Sequence, residues 1–333
     1  MKRLFCLLIA MVLMCSGCVL KDPEEQLYEH YKNKEAEFTL YAKDANEAFV
    51  QMFASHPEQL VHLSSVSIQP GAFSQKVKVE YLNTDINAEE ILCGTEEEVA
   101  VKAMERSLLK GAQNGMMVLQ GDGQPNPEQY SKQLSKTNYL ATMGLKSSQW
   151  QMLTNDFTKD VVVNFVLEYH EDTEKVLKYR AAVKDRVDSL SKKLWTEQDD
   201  AEKRVRAIHD YIIKETKYTE KKSLIMLDHT PYGPLLKGRG VCDGYTYTAK
   251  LLLDAAGIEN EVVGGKAGGE DHSWNMVKLG ETYYHMDVTW DDPVDPSGKD
   301  RLIYDYYLKS DAHMRDDHTW KTEDLPTCPK NYI

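Results

Sequence analysis

The sequence predicts an α+β protein in which a helix with a cysteine at its start packs on an antiparallel sheet, preceded by an α/β accessory domain. Residues 240–245 (GVCDGY) stand directly before a helical pattern of apolar residues. Two β-rich runs, 272–279 and 282–290, flank Gly280-Glu281, a pair suited to a tight hairpin turn. Upstream, helical and alternating patterns follow one another through residues 37–195, which predicts the α/β domain.

Composition narrows the class of protein. The chain has 333 residues, of which 42% are hydrophobic and 28% charged, as in soluble globular proteins of one or two domains. It carries 40 basic and 53 acidic side chains, a formal net charge of −13, and this balance argues against nucleic acid as a partner. Six cysteines are too few for a disulfide scaffold of this length.

The N-terminus has the order of an export signal. A basic pair precedes the apolar run 4–15, and the small pair Ser16-Gly17 leads into Cys18. This arrangement resembles the lipobox of bacterial lipoproteins, which implies that residues 1–17 are removed and that Cys18 carries lipid. The alternative is an ordinary cleaved signal in which Cys18 is incidental. Either way we expect an exported protein, and with lipidation a membrane-anchored one, with residues 18–36 as attachment and tether.

The accessory domain, residues 37–195, is predicted from alternating element types, and nothing in it indicates a function. Its predicted elements are a short strand at 38–41, a helix from Asp44, a strand at 76–81, a helix at 96–109, a loop or lobe boundary at 111–127, a strand at 161–169 and a long helix capped by Asp172.

A second domain is predicted to span residues 196–333, and its opening residues, 196–199, can form a capping box. Cys242 falls at the start of the later helix, where exposed N–H groups and the helix dipole favour a nucleophilic thiolate. Gly240 and Gly244 would leave the backbone near the sulfur open to a substrate. By itself, however, a cysteine at a helix start is more often a small buried side chain.

The hairpin brings two further groups together. With Gly280-Glu281 as the turn, Leu279 pairs with Thr282, and His272 and Asp287 then project from the same face of the sheet as diagonal neighbours. A register slip of one residue would separate them. A carboxylate in this place can orient an imidazole that exchanges a proton with the thiol of Cys242.

Three motifs, GVCDGY, HSWN and DVTWDDP, resemble those of bacterial transglutaminase-like domains, which are relatives of the papain-like thiol enzymes. The resemblance spans roughly residues 200–333 and implies a nucleophile at Cys242, a base at His272 and an orienting carboxylate at Asp287. It implies acyl transfer on peptide or isopeptide amides without a cofactor, with a protein, a peptide or a cell-wall peptide as substrate. Hydrolysis is favoured over cross-linking. The alternative is a catalytically silent binding or assembly module of the cell envelope.

Other residues near the motifs could belong either to the site or to the core. Tyr245, Trp274 and Trp290 could line a substrate groove, though such aromatic residues are at least as often core. His285 shares the face of Asp287 and could support the site through that residue, but a partly buried histidine beside the site is expected.

The sequence also bears on metal binding and disulfide bonding. The acidic residues Asp291, Asp292, Asp295 and Asp300 lack the ligand spacing of a calcium loop, so a solvated turn is expected. A zinc site made from Cys242, His272 and Asp287 is disfavoured because acyl transfer explains those residues without a metal. Cys93 and Cys328 could form a disulfide or remain free thiols, and the sequence favours neither.

Overall fold

The computed structural model describes residues 21–71, 74–82, 87, 90–95, 97–121, 125–219, 225–293 and 301–332. The predicted signal and Cys18 lie outside these residues. Within them, none of the helices is long and apolar enough to cross a membrane. The helices are α1 (Pro23–Lys32), α2 (Ala45–Ser55), α3 (Glu97–Leu109), α4 (Pro127–Thr137), α5 (Tyr139–Thr142), α6 (Thr173–Leu194), α7 (Ala201–Glu215), α8 (Cys242–Ala255) and α9 (Asp311–Met314).

The strands form four sheets. Their bounds are β1 (Glu37–Leu40), β2 (Leu63–Pro70), β3 (Gln75–Tyr81), β4 (Leu92–Gly94), β5 (Asn114–Leu119), β6 (Leu145–Thr154), β7 (Val161–Tyr169), β8 (Lys217–Tyr218), β9 (Arg239–Gly240), β10 (Asn260–Ala267), β11 (Glu270–Leu279), β12 (Thr282–Met286), β13 (Tyr307–Lys309) and β14 (His318–Trp320). The sheet orders are β1-β3-β2, β4-β5-β7-β6, β8-β9 and β13-β12-β11-β10-β14.

The described residues fall into two compact units, each built from several stretches of chain. One contains the residues up to Met104, Asn114–Pro127 and Gln149–Val166; the other contains Glu105–Gln113, Glu128–Ser148 and the residues from Leu167 onward. This division differs from the predicted boundary at residues 195 and 196, because α6 packs in the second unit. Val183, Val187 and Leu190 of α6 share the core of that unit.

Residues 23–32 form a packed helix where the sequence predicts a tether. The helix begins at Asp22, whose carboxylate accepts a hydrogen bond from the N–H of Glu24 at 3.0 Å. Leu27 and Tyr31 lie four residues apart and therefore on one face, and both are buried in the core of the first unit. Two apolar side chains per helix are easily overlooked in a stretch that is otherwise charged.

Elsewhere in the first unit, some predicted elements are present, whereas strand β2 was not predicted and a predicted loop contains a strand. The apolar residues of α2 that share one helical face are buried, and β3 alternates buried and exposed positions from Gln75 to Glu80. Residues 111–127, predicted as a loop, contain strand β5, which pairs with both β4 and β7. Its residues Met117, Val118 and Leu119 are buried, so a short apolar run between glycines was enough to form a strand.

The second unit is organised around α8. The helix is surrounded by α6, α7 and the inner face of the β13-β12-β11-β10-β14 sheet, and its residues Ala249, Leu252 and Leu253 are fully buried. Helix α8 ends as predicted, with Gly257 at a φ of 70° and the N–H of Ile258 bonded to the carbonyl of Leu253. Helix α7 starts at Ala201, beyond the predicted capping box 196–199, because Asp200 caps it by accepting from the N–H of Lys203.

Candidate active site

Cys242 is the first residue of α8 and is partly exposed. The first N–H groups of a helix have no partner within the helix, so they face the region of the thiol. The sequence predicts that Gly240 and Gly244 leave room for a substrate. In the structure they leave room for the protein's own chain. A Cβ atom at Gly244 would lie 2.3 Å from the carbonyl oxygen of Asp228, and one at Gly240 would lie 2.9 Å from Pro234. The protein's own chain, packed against these glycines, holds the start of the helix in place.

The hairpin has the predicted register. Five pairs join β11 to β12, from Leu279 with Thr282 to Asn275 with Met286, and Gly280 has a φ of 61°. Strand β12 ends at Met286, and the residues that follow form a turn, although the sequence predicts a strand up to Trp290.

His272 and Asp287 are in direct contact at the open end of the hairpin. The Nε2 atom of His272 lies 2.7 Å from Oδ2 of Asp287, and the carboxylate is fully buried. The thiol of Cys242 is the other hydrogen-bond partner of His272. The three residues singled out by the sequence are therefore adjacent, in the order thiol, imidazole, carboxylate.

The surroundings of His272 favour its protonated form. Burial lowers the pKa of its ring, but the hydrogen bonds to Asp287 and Cys242 and the charges of these two groups outweigh burial and raise the pKa to about 9. Burial likewise raises the pKa of Asp287, and the hydrogen bonds from His272 and His318 reverse this and hold it below its ordinary value. At neutral pH the site therefore contains an imidazolium beside a carboxylate.

Polar contacts next to the candidate residues tie α8 to β11. Asp243 accepts a hydrogen bond from the hydroxyl of Ser273 at 2.8 Å, and Thr246 donates to the carbonyl of Ser273 at 2.9 Å. Because Asp243 follows Cys242 and Ser273 follows His272, these contacts fix the distance between thiol and imidazole. Asp243 and Ser273 lie inside the motifs GVCDGY and HSWN, but the motifs alone do not predict these contacts.

Asp287 accepts four hydrogen bonds. Its Oδ1 atom accepts from the N–H groups of Thr289 at 3.0 Å and Trp290 at 3.1 Å, which closes the turn after β12. Its Oδ2 atom accepts from His272 and also from His318, whose Nε2 lies 3.0 Å away. His318 belongs to the stretch 318–320 that shares in the family resemblance, but it lies 31 residues beyond Asp287 and no spacing predicts their contact.

Two of the three candidate groove residues are core residues. Tyr245 is 0% exposed and Trp274 is 1% exposed, and only Trp290 is partly exposed. The indole N–H of Trp274 donates to Nδ1 of His285 at 2.8 Å, and Nε2 of His285 lies 2.9 Å from Asp311. His285 is fully buried, and its ring nitrogens contact Trp274 and Asp311 rather than Asp287.

Asp291, in the acidic turn after Asp287, is buried rather than solvated. Asp291 is 0% exposed; its Oδ2 lies 3.1 Å from Nε2 of His209, and its Oδ1 accepts from the N–H of Tyr306 at 2.9 Å. Asp292 accepts from the hydroxyl of Tyr245 at 2.6 Å. Asp295 and Asp300 lie outside the described residues.

Among the described residues, two groups of side chains are close enough to hold a metal ion: His272, Asp287 and His318, and His285, Asp311 and Cys328. In the second group, Nδ1 of His285 accepts from an indole, so the hydrogen of the neutral ring is on Nε2 and no lone pair faces a metal. In the first group, both histidines donate to the same carboxylate oxygen. Hydrogen bonding explains both arrangements.

In the described part of the chain, the two thiols other than that of Cys242 are free. Cys93 is partly buried in β4 and Cys328 is fully buried. Burial and a nearby carboxylate raise the pKa of each thiol to about 12, through Glu58 at Cys93 and Asp311 at Cys328. Both are therefore protonated and poorly nucleophilic at neutral pH.

Tyr218 is a further neighbour of Cys242. It pairs with Gly240 in the parallel β8-β9 ladder, and 41% of its surface is exposed. Burial of its hydroxyl and the nearby charge of Cys242 raise its pKa. A neutral phenol beside the thiol is a hydrogen-bond donor available to a substrate.

Comparison with known proteins agrees with this geometry. Residues 165–288 match the model of the Transglutaminase-like superfamily, a segment that contains Cys242, His272 and Asp287 and starts before the predicted boundary at residue 196. No curated protein matches the chain in sequence.

Several solved structures are similar at low identity. A structure described as a TGase is 16% identical, with 59% of this chain and 58% of that chain covered and a TM-score of 0.30. This chain thus spans less than two thirds of its length. A candidate cysteine protease from Cytophaga hutchinsonii is 11% identical over 55% of this chain and 73% of its own, with a TM-score of 0.29. A candidate protease from Parabacteroides distasonis is 12% identical over 52% and 39%, with a TM-score of 0.24.

These TM-scores are too low to carry an argument about function, so the assignment rests on the family match. The matched segment includes the helix start with its cysteine and the hairpin with its histidine and aspartate. Residues 165–288 are therefore similar to the transglutaminase-like superfamily.

Proposed function

We propose that this protein is a thiol enzyme that transfers acyl groups from peptide or isopeptide amides. The observation that carries the proposal is the contact between a partly exposed cysteine at a helix start, an imidazole of raised pKa and a buried carboxylate 2.7 Å from that imidazole. In this arrangement Cys242 is the nucleophile, His272 the acid and base, and Asp287 the group that orients His272.

The reaction proceeds in two halves. The thiolate of Cys242 adds to the amide carbonyl, and the backbone N–H groups at the start of α8 stabilise the oxyanion. The imidazolium of His272 then gives its proton to the leaving amine, the C–N bond breaks, and a thioester remains on Cys242. In the second half, neutral His272 takes a proton from the incoming water or amine, which attacks the thioester and releases the thiolate.

The second half decides between hydrolysis and cross-linking. We propose hydrolysis as the main reaction, as in a protease or amidase. The test is incubation of the full protein with a mixture of peptides in the presence and absence of a primary-amine probe, with Cys242→Ala as control. Cleavage that depends on Cys242 without incorporation of the amine supports hydrolysis. Incorporation would identify a transferase, and the absence of both reactions would contradict the proposed function.

We also propose that the protein is exported and held at the membrane by lipid on Cys18. The support is the order of the first eighteen residues, namely basic pair, apolar run, small pair and cysteine. The test is metabolic labelling of bacterial cells that express the full chain with a radioactive fatty acid. Label in the wild type and its loss in Cys18→Ser support the anchor, whereas an unlabelled wild type contradicts it.

A further inference from the structure

Strand β14 brings a second histidine to the carboxylate of the triad. It pairs with β10, with Ala267 opposite His318, and β10 lies between it and β11, the strand that carries His272. The side chain of His318 is fully buried. This residue lies outside the segment 165–288 that matches the superfamily model.

The two histidines share one oxygen atom. Nε2 of His272 is 2.7 Å and Nε2 of His318 is 3.0 Å from Oδ2 of Asp287. An ionised carboxylate only accepts hydrogen bonds, so the Nε2 atom of His318 carries a hydrogen that points at this oxygen. With Oδ1 already bonded to two backbone N–H groups, the bond from His318 completes the set of donors around Asp287.

The ring of His318 is held on its other side as well. Its Nδ1 atom lies 2.5 Å from Oδ1 of Asp317, and the second oxygen of that carboxylate accepts from the hydroxyl of Tyr306. The rings of Trp290 and Trp274 lie 4.6 and 5.0 Å from its centroid. A ring bonded at both nitrogens and enclosed by aromatic side chains cannot turn away from Asp287.

We propose that His318 is a positioning residue for the thiol chemistry, on the basis of the function proposed above. Its Nε2–H bond keeps the buried carboxylate of Asp287 ionised and turned so that Oδ2 also receives His272. Without this bond, Oδ2 has one hydrogen-bond donor instead of two. The free-energy cost of burying the carboxylate charge is then less well compensated, so Asp287 orients His272 less firmly. His318 itself touches neither the thiol nor the substrate.

Two amide substitutions separate this role from a merely structural one. The amide of glutamine reaches the position of Nε2, so His318→Gln keeps a donor toward Asp287. The shorter amide of asparagine reaches only the position of Nδ1, so His318→Asn keeps the contact with Asp317 and loses the one with Asp287. The measurement is the rate at which iodoacetate alkylates Cys242 at neutral pH in the full protein, with mass spectrometry to locate the adduct.

We expect His318→Asn to slow alkylation about ten-fold and His318→Gln to stay within about three-fold of the wild type. Because His318 acts through Asp287, His318→Asn should change the rate by less than about two-fold in a chain that already carries Asp287→Asn. A folded His318→Asn with the wild-type rate, equal losses in both variants, or the same loss in the Asp287→Asn chain would each overturn the proposal.

Two further readouts complete the test. A wild-type Cys242 that reacts no faster than free cysteine overturns the proposed function and this inference together, whereas a fast wild type with unaffected His318 variants overturns this inference alone. If His318→Asn does not fold, the imidazole ¹⁵N spectrum of the wild type replaces it. Nε2 of His318 should be protonated across the pH range in which Cys242 reacts, and an unprotonated Nε2 would refute the proposal.

Discussion

Replacing Asp287 with asparagine tests the triad most directly, because it removes a charge and leaves the shape. Four N–H donors converge on the two carboxylate oxygens, two from the backbone and two from His272 and His318. An amide has only one oxygen, so its NH₂ group must face either the backbone pair or the histidine pair. Leaving such donors unsatisfied costs about 1–3 kcal/mol of stability. We therefore expect Asp287→Asn to fold with a lower free energy of unfolding.

The larger effect is on the protonation of His272. A pKa of about 9 keeps about 97% of the ring protonated at pH 7.5, whereas an ordinary value of about 6.5 would leave about 10%. The variant loses the hydrogen bond and charge of Asp287 but keeps those of Cys242, so the pKa of His272 falls only part of the way. The protonated fraction at pH 7.5 should accordingly fall by up to about ten-fold.

Iodoacetate and iodoacetamide report this change without a known substrate. The anionic reagent is attracted by the imidazolium, so its rate with Cys242 should fall above about pH 9 in the wild type as His272 loses its proton. The neutral reagent should show no such fall. In Asp287→Asn the fall should begin at lower pH, while the control Asp292→Asn, on the same turn but bonded to Tyr245, should keep the wild-type profile. An unchanged profile in Asp287→Asn would refute the assignment of Asp287.

Three further changes probe the surroundings of the site. Tyr218→Phe should lower amide cleavage several-fold and leave alkylation of Cys242 unchanged, if its hydroxyl helps to bind the oxyanion; a parallel loss of both would refute that role. Burial lowers the pKa of His209, but its hydrogen bonds to Asp210 and Asp291 outweigh burial and raise it. The charged ring therefore stabilises the fold fully below about pH 6.5. This contribution to stability is lost as the pH rises through the pKa of His209 in the folded protein. Urea unfolding should therefore show a larger loss for His209→Gln at pH 6 than at pH 9, and an equal loss at both would contradict the charge. Gly265→Ala places a Cβ 2.2 Å from the carbonyl oxygen of Thr319, so it should displace β14 and slow alkylation of Cys242 as His318→Asn does; a folded variant with the wild-type rate would show that β14 tolerates the shift.

The contact between His272 and Asp287 was predictable because local rules determine it. A two-residue turn with glycine at its first central position sets the register, and the register decides which residues share a face. The start of α8 at Cys242 follows in the same way from the apolar spacing after the motif. Both inferences use residues fewer than twenty positions apart.

Several contacts depend on tertiary packing, and the sequence does not predict them. His318 reaches Asp287 only because β14 joins the far edge of the sheet, and no periodicity links the two residues. Helix α1 has the polar composition of a tether because only two of its residues, Leu27 and Tyr31, are buried. Tyr245 and Trp274 were candidates for a groove because an aromatic residue beside a reactive group has the same sequence pattern whether it faces the substrate or the core.

The acidic turn shows how the site is coupled to the core. Asp287, Asp291 and Asp292 each bond to a side chain from a different element: His318 of β14, His209 of α7 and Tyr245 of α8. A buried carboxylate is stable only with such partners, so each pairing fixes one point of the turn relative to one wall of the core. The orientation of His272 by Asp287 therefore depends on three parts of the fold at once. His318 bonds to Asp287 itself, whereas His209 and Tyr245 bond to Asp291 and Asp292, so loss of His318 should affect the reactivity of Cys242 more than loss of either other partner.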